Sequence, residues 1–213
     1  MPIDFMLYLP EIVSVSVIAL FMSISPGADF VMVTKNSLFH HRKAGLYSAL
    51  GISLAIWIHV TYSIAGLALV ISNSVVLFSI IKYLGGAYLI YMGWKSFQSK
   101  ANVEIVDNKN HQTLSNFSAL KIGFITNALN PKTTLFFLSI FTQVVTADTP
   151  IILQVIYGAI ISVAHLLWFS FVAVCITHPS MLMFFNRYKV AIERVIGTAL
   201  IGFGLKIAST SNS

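Results

Sequence analysis

Two hydrophobic segments of this chain, each long enough to cross a membrane, are interrupted by a proline close to a charged residue. The first break is Ser25 to Asp29 (SPGAD) and the second break is Asn130 to Lys132 (NPK). A proline inside a spanning helix removes a backbone donor and clashes with the preceding turn, and lipid supplies no water to satisfy the freed groups. Paired breaks at matching places in two halves are typical of transporters built from inverted repeats, with the substrate site between the breaks. The pattern therefore predicts a small membrane transporter.

The composition indicates that a lipid bilayer is the solvent for most of the chain. Of the 213 residues, 57% are hydrophobic and only 9% are charged, which is too few charges to cover a soluble globule of this size. The predicted fold class is an all-α integral membrane protein with six transmembrane helices, arranged as two inverted three-helix repeats in which helices 1 and 4 are broken. The six spans are runs of about 20 apolar residues: Ile12 to Val33, Leu46 to Val70, Val75 to Trp94, Phe117 to Val145, Ile151 to Ile176 and Val190 to Ala208.

The halves are predicted to form a single transmembrane domain, 1–213, made of repeat 1 (about 5–98), a cytoplasmic linker (about 99–116) and repeat 2 (about 117–208). The polar composition of Lys95 to Asn116 favours a mobile linker. Leu84 to Lys95 aligns with Val195 to Lys206 at an offset of 111 residues, although chance similarity between glycine-rich membrane helices is an alternative explanation. With three spans in each half, the second copy runs through the membrane in the opposite direction. Five aligned positions are identical: Gly86/Gly197, Leu89/Leu200, Ile90/Ile201, Gly93/Gly204 and Lys95/Lys206.

The positive charges follow alternate connections between the predicted spans. Ten of the thirteen Lys and Arg residues flank the first, third and fifth connections, whereas the opposite side carries only Lys82 and Lys206, and Lys132 lies within a span. By the positive-inside rule, the side with ten cations is cytoplasmic and both termini lie outside. This distribution accounts for the net charge of +6 without nucleic acid as a partner. No Lys or Arg precedes Lys35, so the basic region of a signal peptide is missing and the first span is expected to be retained.

Each break has the residue order of a helix start. If the helices restart at their prolines, Ser25 and Asn130 take the N-cap position and Pro26 and Pro131 the first helical position, where these residue types are favoured. The unpaired N–H groups and the positive dipole ends of two such half-helices form a site for an anion, for example a substrate carboxylate. Gly27 removes a side chain where backbone comes close to a ligand or another helix.

Asp29 and Lys132 are the charged residues of the two breaks. Asp29 falls in the first turn of its half-helix and is a candidate for carrying a proton or binding a substrate amine, with a structural helix cap as the alternative. Lys132 is a cation at a helix N-terminus, which the helix dipole disfavours, so it needs a partner. An ion pair with Asp29 or a bound carboxylate supplies one, since unpaired charges in the membrane cost about 2.5 to 3.5 kcal/mol. Snorkelling of the lysine to an interface is the other interpretation.

Several further polar residues lie within the predicted spans. His59 and His165 have no HxxxH pattern or acidic cluster beside them, so interhelical hydrogen bonding is favoured over metal ligation or proton relay. Thr126 and Asn127 precede the second break by about one turn, where they either bind polar groups of the substrate or satisfy the broken backbone. Cys175 is the only cysteine, which excludes an intrachain disulfide and favours core packing.

The chain resembles the LysE/RhtB family of amino-acid exporters along nearly its whole length. The resemblance implies efflux of amino acids or close derivatives across the bacterial inner membrane, driven by the proton gradient, and the form of the first break is similar to the threonine-efflux branch. One residue departs from the family pattern, since Ala28 stands where the family usually has a second proline. The resemblance is carried by Ser25 to Phe30 (SPGADF), a basic loop followed by Ala44-Gly45 and Leu50 to Ile52, Gly85 to Leu89 with Tyr91 to Gly93, and Asn127 to Lys132 (NALNPK).

Together with these observations, the resemblance implies a multi-pass inner-membrane transporter that exports small neutral amino acids, similar to threonine or homoserine, by proton antiport. The expected partners are the amino acid, protons and the lipid bilayer, with a homodimer as one assembly, and neither a cofactor nor a resident metal is expected. The alternatives are an exporter of metal ions or other small solutes, which needs more carboxylates, and a membrane-embedded enzyme, which needs a catalytic cluster. The predicted residues for substrate and proton binding are Ser25, Pro26, Gly27, Asp29, Thr126, Asn127, Asn130, Pro131 and Lys132.

Overall fold

The computed structural model describes residues 5–98, 114–146, 149–175 and 177–209. All regular structure in these ranges is helical, which confirms the all-α prediction. Residues 99–113 of the predicted linker lie outside the described residues. A short 3-10 helix, Phe5–Tyr8, is followed by α1 (Leu9–Ile24), α2 (Ala28–Phe39), α3 (Arg42–Asn73), α4 (Val75–Phe97), α5 (Asn116–Ala128), α6 (Pro131–Val144), α7 (Ile151–Cys175) and α8 (Pro179–Ser209).

Both predicted breaks interrupt the helices where the prolines stand. Residues 25–27 separate α1 from α2, and residues 129–130 separate α5 from α6. The residue ahead of each proline is extended, Ser25 with ψ 115° and Asn130 with ψ 109°. Because proline disfavours the helical conformation of the residue before it, the local sequence is enough to set both interruptions.

Four helical segments are long and apolar enough to cross a membrane: Phe5–Ile24, Arg42–Leu67, Val76–Phe97 and Ile151–Cys175. The first predicted span ran from Ile12 to Val33. In the structure the first long apolar segment ends at Ile24, before the break. The fourth predicted span is divided into α5 and α6, of 13 and 14 residues, and each is shorter than the ~20 residues that a bilayer core requires. The sixth predicted span lies in α8, whose first half contains four charged residues: Arg187, Lys189, Glu193 and Arg194.

The helices α4 and α8 cross at four glycines, which form two pairs aligned at the offset of 111 residues. A Cβ placed on Gly93 would lie 2.5 Å from the Gly197 carbonyl oxygen, and a Cβ on Gly204 would lie 2.7 Å from the Gly86 carbonyl oxygen. The aligned pairs are Gly86/Gly197 and Gly93/Gly204, so a shift of 111 residues maps each contact onto the other. The two helices run antiparallel, and any larger residue at these positions would push their backbones apart.

The helices α3 and α7 are joined by a reciprocal pair of serines. The hydroxyl oxygens of Ser53 and Ser162 are 2.8 Å apart, and each hydroxyl also lies within hydrogen-bond distance of the other residue's carbonyl oxygen, at 3.1 and 2.9 Å. Such a contact, in which two residues make the same interaction with each other, is what a two-fold relation between helices produces.

The core between the helices is apolar, and so is much of the exterior. Ile56, Phe137 and Ile161 are fully buried in one cluster that α1, α4 and α8 also join. On the outer surface, large apolar side chains are exposed, including Leu84 at 63% and Leu167 at 66%. An exterior of this kind fits a protein that is surrounded by lipid.

Candidate functional site

The side chain of Lys132, near the start of α6, joins the two breaks. Its Nζ donates hydrogen bonds to Ser25 O at 2.9 Å and Ser25 Oγ at 2.8 Å, and it lies 3.5 Å from Pro26 O. Ser25 is the C-cap residue of α1, and the C-terminus of a helix carries partial negative charge. The cation is therefore accommodated at the N-terminus of α6 because it contacts the C-terminus of another helix.

Asp29 lies in the first turn of α2 and is only 7% exposed. Its Oδ2 accepts hydrogen bonds from Asn127 Nδ2 and Asn130 Nδ2, both at 3.0 Å. Its Oδ1 is buried and accepts no hydrogen bond from any residue in the part of the chain that the structure describes. Leaving a buried acceptor unpaired costs about 1–3 kcal/mol, and more when the group is charged. Oδ1 is therefore a suitable position for a proton or for an ammonium donor.

Asp29 and Lys132 are neighbours, but their hydrogen bonds go to neutral groups. Both line a void of about 10 Å³, which is close to the smallest space that holds a water molecule. From the sequence, an ion pair with Asp29 or a bound carboxylate is expected as the partner of Lys132. The carbonyl oxygens at the end of α1 instead bind the lysine, and the amides of Asn127 and Asn130 bind the carboxylate.

The predicted helix caps are right at the second break and wrong at the first. Asn130 is the N-cap of α6, its side chain accepts from the Lys132 backbone N–H at 3.0 Å, and Pro131 follows at the first helical position. At the first break Ser25 ends α1, and α2 begins two residues later than predicted, with Gly27 as its N-cap. At this break the oxygen atoms of Ser25 accept hydrogen bonds from Lys132 Nζ, and in the described structure no hydrogen bond joins the Ser25 side chain to the N-terminus of α2.

A cavity of about 490 Å³ lies against both breaks, and we call it the break cavity. It is lined by parts of both breaks and by residues of α4 and α8, and it carries two ammonium groups and one carboxylate. The charged lining residues are Lys95, Lys132 and Glu193, and the remaining ones are Ser25, Pro26, Gly27, Tyr88, Tyr91, Met92, Ser96, Gln98 and Pro131. Glu193, which is 6% exposed in α8, was not among the site residues predicted from the sequence.

Thr126 and Asn127 do not line the break cavity or the void below Asp29, as far as the described residues go. Asn127 is fully buried and donates from Nδ2 to Asp29 and, at 3.3 Å, to Thr133 Oγ1. Its carbonyl oxygen accepts from the Asn130 N–H at 2.9 Å. Asn127 therefore acts on the carboxylate and on the broken backbone, and Thr126 is partly buried elsewhere on α5.

The two histidines make interhelical hydrogen bonds, as the sequence analysis favoured. His59 Nε2 lies 3.1 Å from Asn127 O, at the end of α5, and His165 Nδ1 lies 3.1 Å from Ser23 Oγ, near the end of α1. Each histidine thus contacts the helix that precedes the break in the opposite half of the chain. In the described structure, His59 connects α3 to α5 and His165 connects α7 to α1.

Known membrane proteins are similar to this chain along most of its length. The uncharacterized membrane protein YrhP of Bacillus subtilis is 36% identical over 198 residues, which are 89% of this chain and 94% of the relative. The uncharacterized membrane protein YahN of Escherichia coli is 30% identical, with 86% of this chain and 82% of the relative covered. The threonine efflux protein of Escherichia coli is 30% identical over 197 residues, or 91% of this chain and 95% of the relative. No solved structure matches the chain.

The family comparison covers both halves of the chain. The model of the family described as LysE type translocator matches residues 20–211, which include both breaks, both cavity-lining lysines Lys95 and Lys132, and the glycine crossing of α4 and α8. Translocators of this family act in membranes, and the four long apolar helices agree with a multi-pass membrane protein. The chain therefore belongs to the LysE type translocator family, also called LysE/RhtB.

Proposed function

We propose that the protein is a secondary transporter that exports a small neutral amino acid, of the size of threonine or homoserine, in exchange for protons. The observation that carries the proposal is the pair of opposite charges at the two breaks. Asp29 has a buried oxygen without a donor in the described residues, and Lys132 holds the end of α1. A zwitterionic amino acid carries the complementary pair of charges, an ammonium group and a carboxylate.

The substrate amine is assigned to Asp29 Oδ1. The other oxygen, Oδ2, already accepts hydrogen bonds from two amides, whereas Oδ1 accepts none from the described residues. The substrate carboxylate is assigned to Lys132 and to the N-terminus of α2. That helix has 12 residues, and none of the described side chains caps its N-terminus, so its first N–H groups favour an anion. A Cβ on Gly27 would lie 3.5 Å from Lys132 Nζ, so glycine leaves the approach to the ammonium open.

Proton coupling is assigned to the same carboxylate. When the substrate amine leaves, Oδ1 loses its donor, and a buried bare charge is strongly unfavourable. Protonation removes that charge, whereas amine binding requires it. Substrate and proton therefore compete for Asp29, and this competition is what an exchange of one for the other needs.

The proposed architecture has six spans, built as two inverted halves around the breaks. It is supported by the repeat-related glycine contacts of α4 and α8 and by the reciprocal serines of α3 and α7. In this arrangement α5 and α6 together complete the fourth span, and the apolar second half of α8 forms the sixth. The cation distribution supports a cytoplasmic position for the linker and an outside position for both termini.

The choice of a neutral substrate has two supports. The efflux relatives from Escherichia coli and Salmonella typhi are named for threonine, and they are 30% and 28% identical to this chain. The charges that line the break cavity and the adjoining void, Asp29, Lys95, Lys132 and Glu193, are balanced. A substrate with an extra charge on its side chain would need an additional partner there. Within the described ranges, no three His, Cys, Asp or Glu side chains come together as a metal site would require.

Export can be tested in cells that overproduce the protein and are preloaded with labelled threonine or homoserine. Cells with the intact protein should lose the amino acid faster than cells without it, and a protonophore should slow the loss. Asp29→Asn should abolish export while the chain still reaches the membrane, because the asparagine oxygen can still accept from the two neighbouring amides. Equal efflux of every neutral amino acid by the intact protein and the Asp29→Asn variant would overturn the proposal.

A further inference from the structure

A second cavity, of about 190 Å³, lies toward the N-terminus of α4 and the C-terminus of α8, and we call it the end cavity. This volume is many times the ~10–15 Å³ that one water molecule needs, so the cavity has room for a small polar solute. The walls come from α1, α4, α6 and α8. Its polar lining residues are Glu11, Ser14, Lys82, Gln143 and Lys206.

The end cavity has the same set of charges as the break cavity. Two ammonium groups and one carboxylate line each of them: Lys95, Lys132 and Glu193 in the break cavity, and Lys82, Lys206 and Glu11 in the end cavity. An amino acid has one carboxylate and one ammonium group. Both cavities therefore offer a partner for each end of a zwitterion, with one further cation.

The two cavities are also related by the internal repeat. At the offset of 111 residues, Lys82 corresponds to Glu193 and Lys95 corresponds to Lys206, so α4 and α8 each place one charge in each cavity. In both helices the two charged residues are 13 positions apart, which is about 20 Å along an α-helix. Aligned residues thus line both cavities, and at one aligned position the sign of the charge is reversed.

The carboxylate of the end cavity is oriented by a buried partner. Tyr157 is fully buried in α7, and its hydroxyl donates to Glu11 Oε2 at 2.6 Å. The short hydrogen bond to a charged acceptor holds one oxygen in place, and the same residue lines the cavity. A carboxylate on a flexible surface side chain would lack this support.

One turn of α1 separates the end cavity from the void that Asp29 lines. Ile18 lines the end cavity and Met22 lines the void, and both are buried, at 2% and 6% exposed. Four helical residues span about 6 Å. The end cavity therefore lies on the continuation of the candidate substrate site, behind a thin apolar wall.

We propose that the end cavity is a second amino-acid site, on the outer side of the protein, which binds the zwitterion after it has passed Asp29. Glu11 binds the ammonium group, and Lys82 and Lys206 bind the carboxylate. The inference rests on the proposed export function for the direction of movement, but binding in the cavity is a separate property that can be measured without transport.

The experiment measures protection of a cysteine placed in the end cavity. Ser14→Cys in a Cys175→Ala background is labelled in intact cells with a membrane-impermeant maleimide, with and without a mixture of L-threonine and L-homoserine. The amino acids should slow the labelling. N-acetylthreonine and threonine amide should not, because each lacks one of the two charges. Because the reagent reaches only the outer side, labelling in intact cells also tests the predicted orientation.

Three further substitutions test the assigned contacts. Glu11→Gln should raise the half-protecting amino-acid concentration about tenfold, which corresponds to about 1.4 kcal/mol. Tyr157→Phe keeps the Glu11 charge and removes its hydrogen bond, so it should raise the concentration by a smaller factor. Lys121→Gln, on an exposed position of α5, should leave it unchanged.

Three results would overturn the inference. The first is no protection by the amino acids, and the second is equal protection by N-acetylthreonine and threonine amide. The third is labelling of the cysteine from the cytoplasmic side alone. Protection together with a failure of the efflux assay would keep this binding site and reject the export function. Efflux without protection would keep the export function and reject this binding site.

Discussion

The first break and the second break both place an extended residue ahead of a proline, yet only the second supplies its own helix cap. Asn130 accepts from a backbone N–H two residues later, and Pro131 occupies the first position of α6. At the first break, none of the described side chains caps α2, and the oxygen atoms of Ser25 and Pro26 are bound by Lys132 from the other half of the chain. One break is stabilised locally and the other by a distant residue.

This difference assigns the two breaks different parts in transport. The second break is capped by its own Asn130 and positions Lys132. The first break carries Asp29 and a helix N-terminus that none of the described side chains caps, and its carbonyl oxygens bind the distant Lys132. In the proposed function, the substrate carboxylate competes with these oxygens for the lysine. We therefore expect the first break to change during transport and the second break to stay rigid.

The largest effect should come from Lys132→Met, which keeps a side chain of similar length and removes all of its donors. The first break would lose the partner of its carbonyl oxygens, at a cost of about 1–3 kcal/mol for each buried acceptor left unpaired. Export should be abolished and the melting temperature in detergent should fall. Lys121→Met on α5 is the control and should behave like the intact protein. Normal export by Lys132→Met would remove the proposed dependence of the first break on the second.

An intermediate effect should separate the two prolines. Pro26→Ala allows α1 and α2 to join into one helix, so that the Ser25 carbonyl enters a helical hydrogen bond instead of binding Lys132. The initial efflux rate, per amount of protein in the membrane, should fall about tenfold, equivalent to about 1.4 kcal/mol. Pro131→Ala should retain most activity, because Asn130 still caps α6 and alanine is accepted at the first helical position. Equal losses in the two variants would mean that the breaks are equivalent.

The smallest effect is expected from Ala28→Pro, which would give α2 the proline at its first position that α6 already has. Ala28 is exposed, and the preceding Gly27 is extended, with φ −166° and ψ −164°, a conformation that can precede proline. The substitution should stabilise the protein by about 0.4–1 kcal/mol and leave export nearly unchanged. Ala28→Gly should shift the melting temperature in the opposite direction. A lower melting temperature for Ala28→Pro would contradict the helix start seen at this residue.

Local chemistry was enough to predict the places of both breaks and the cap of the second. Asn130 and Pro131 are adjacent residues with strong preferences for their positions, and no distant group is needed to satisfy them. Ser25 has a similar preference, but its oxygen atoms bind Lys132, 107 residues away in sequence. No periodicity or motif in the chain encodes that contact, so the prediction for Ser25 was wrong.

Glu193 was not predicted as a site residue for a different physical reason. It lies in the same repeat that the glycines revealed, aligned with Lys82. The two residues have opposite charges, so a search for identical positions does not find them, although both line cavities. A function carried by complementary rather than identical residues is visible only when the helices are placed together.

The link from Lys132 to Ser25 also has a consequence for biosynthesis. The chain between the two residues takes about 5 to 20 s to synthesise at about 5–20 residues per second, since they are 107 positions apart. Throughout that interval the carbonyl groups of the first break lack the lysine that binds them in the finished protein. The conformation of the first break seen in the finished protein can therefore form only after the second half has been made.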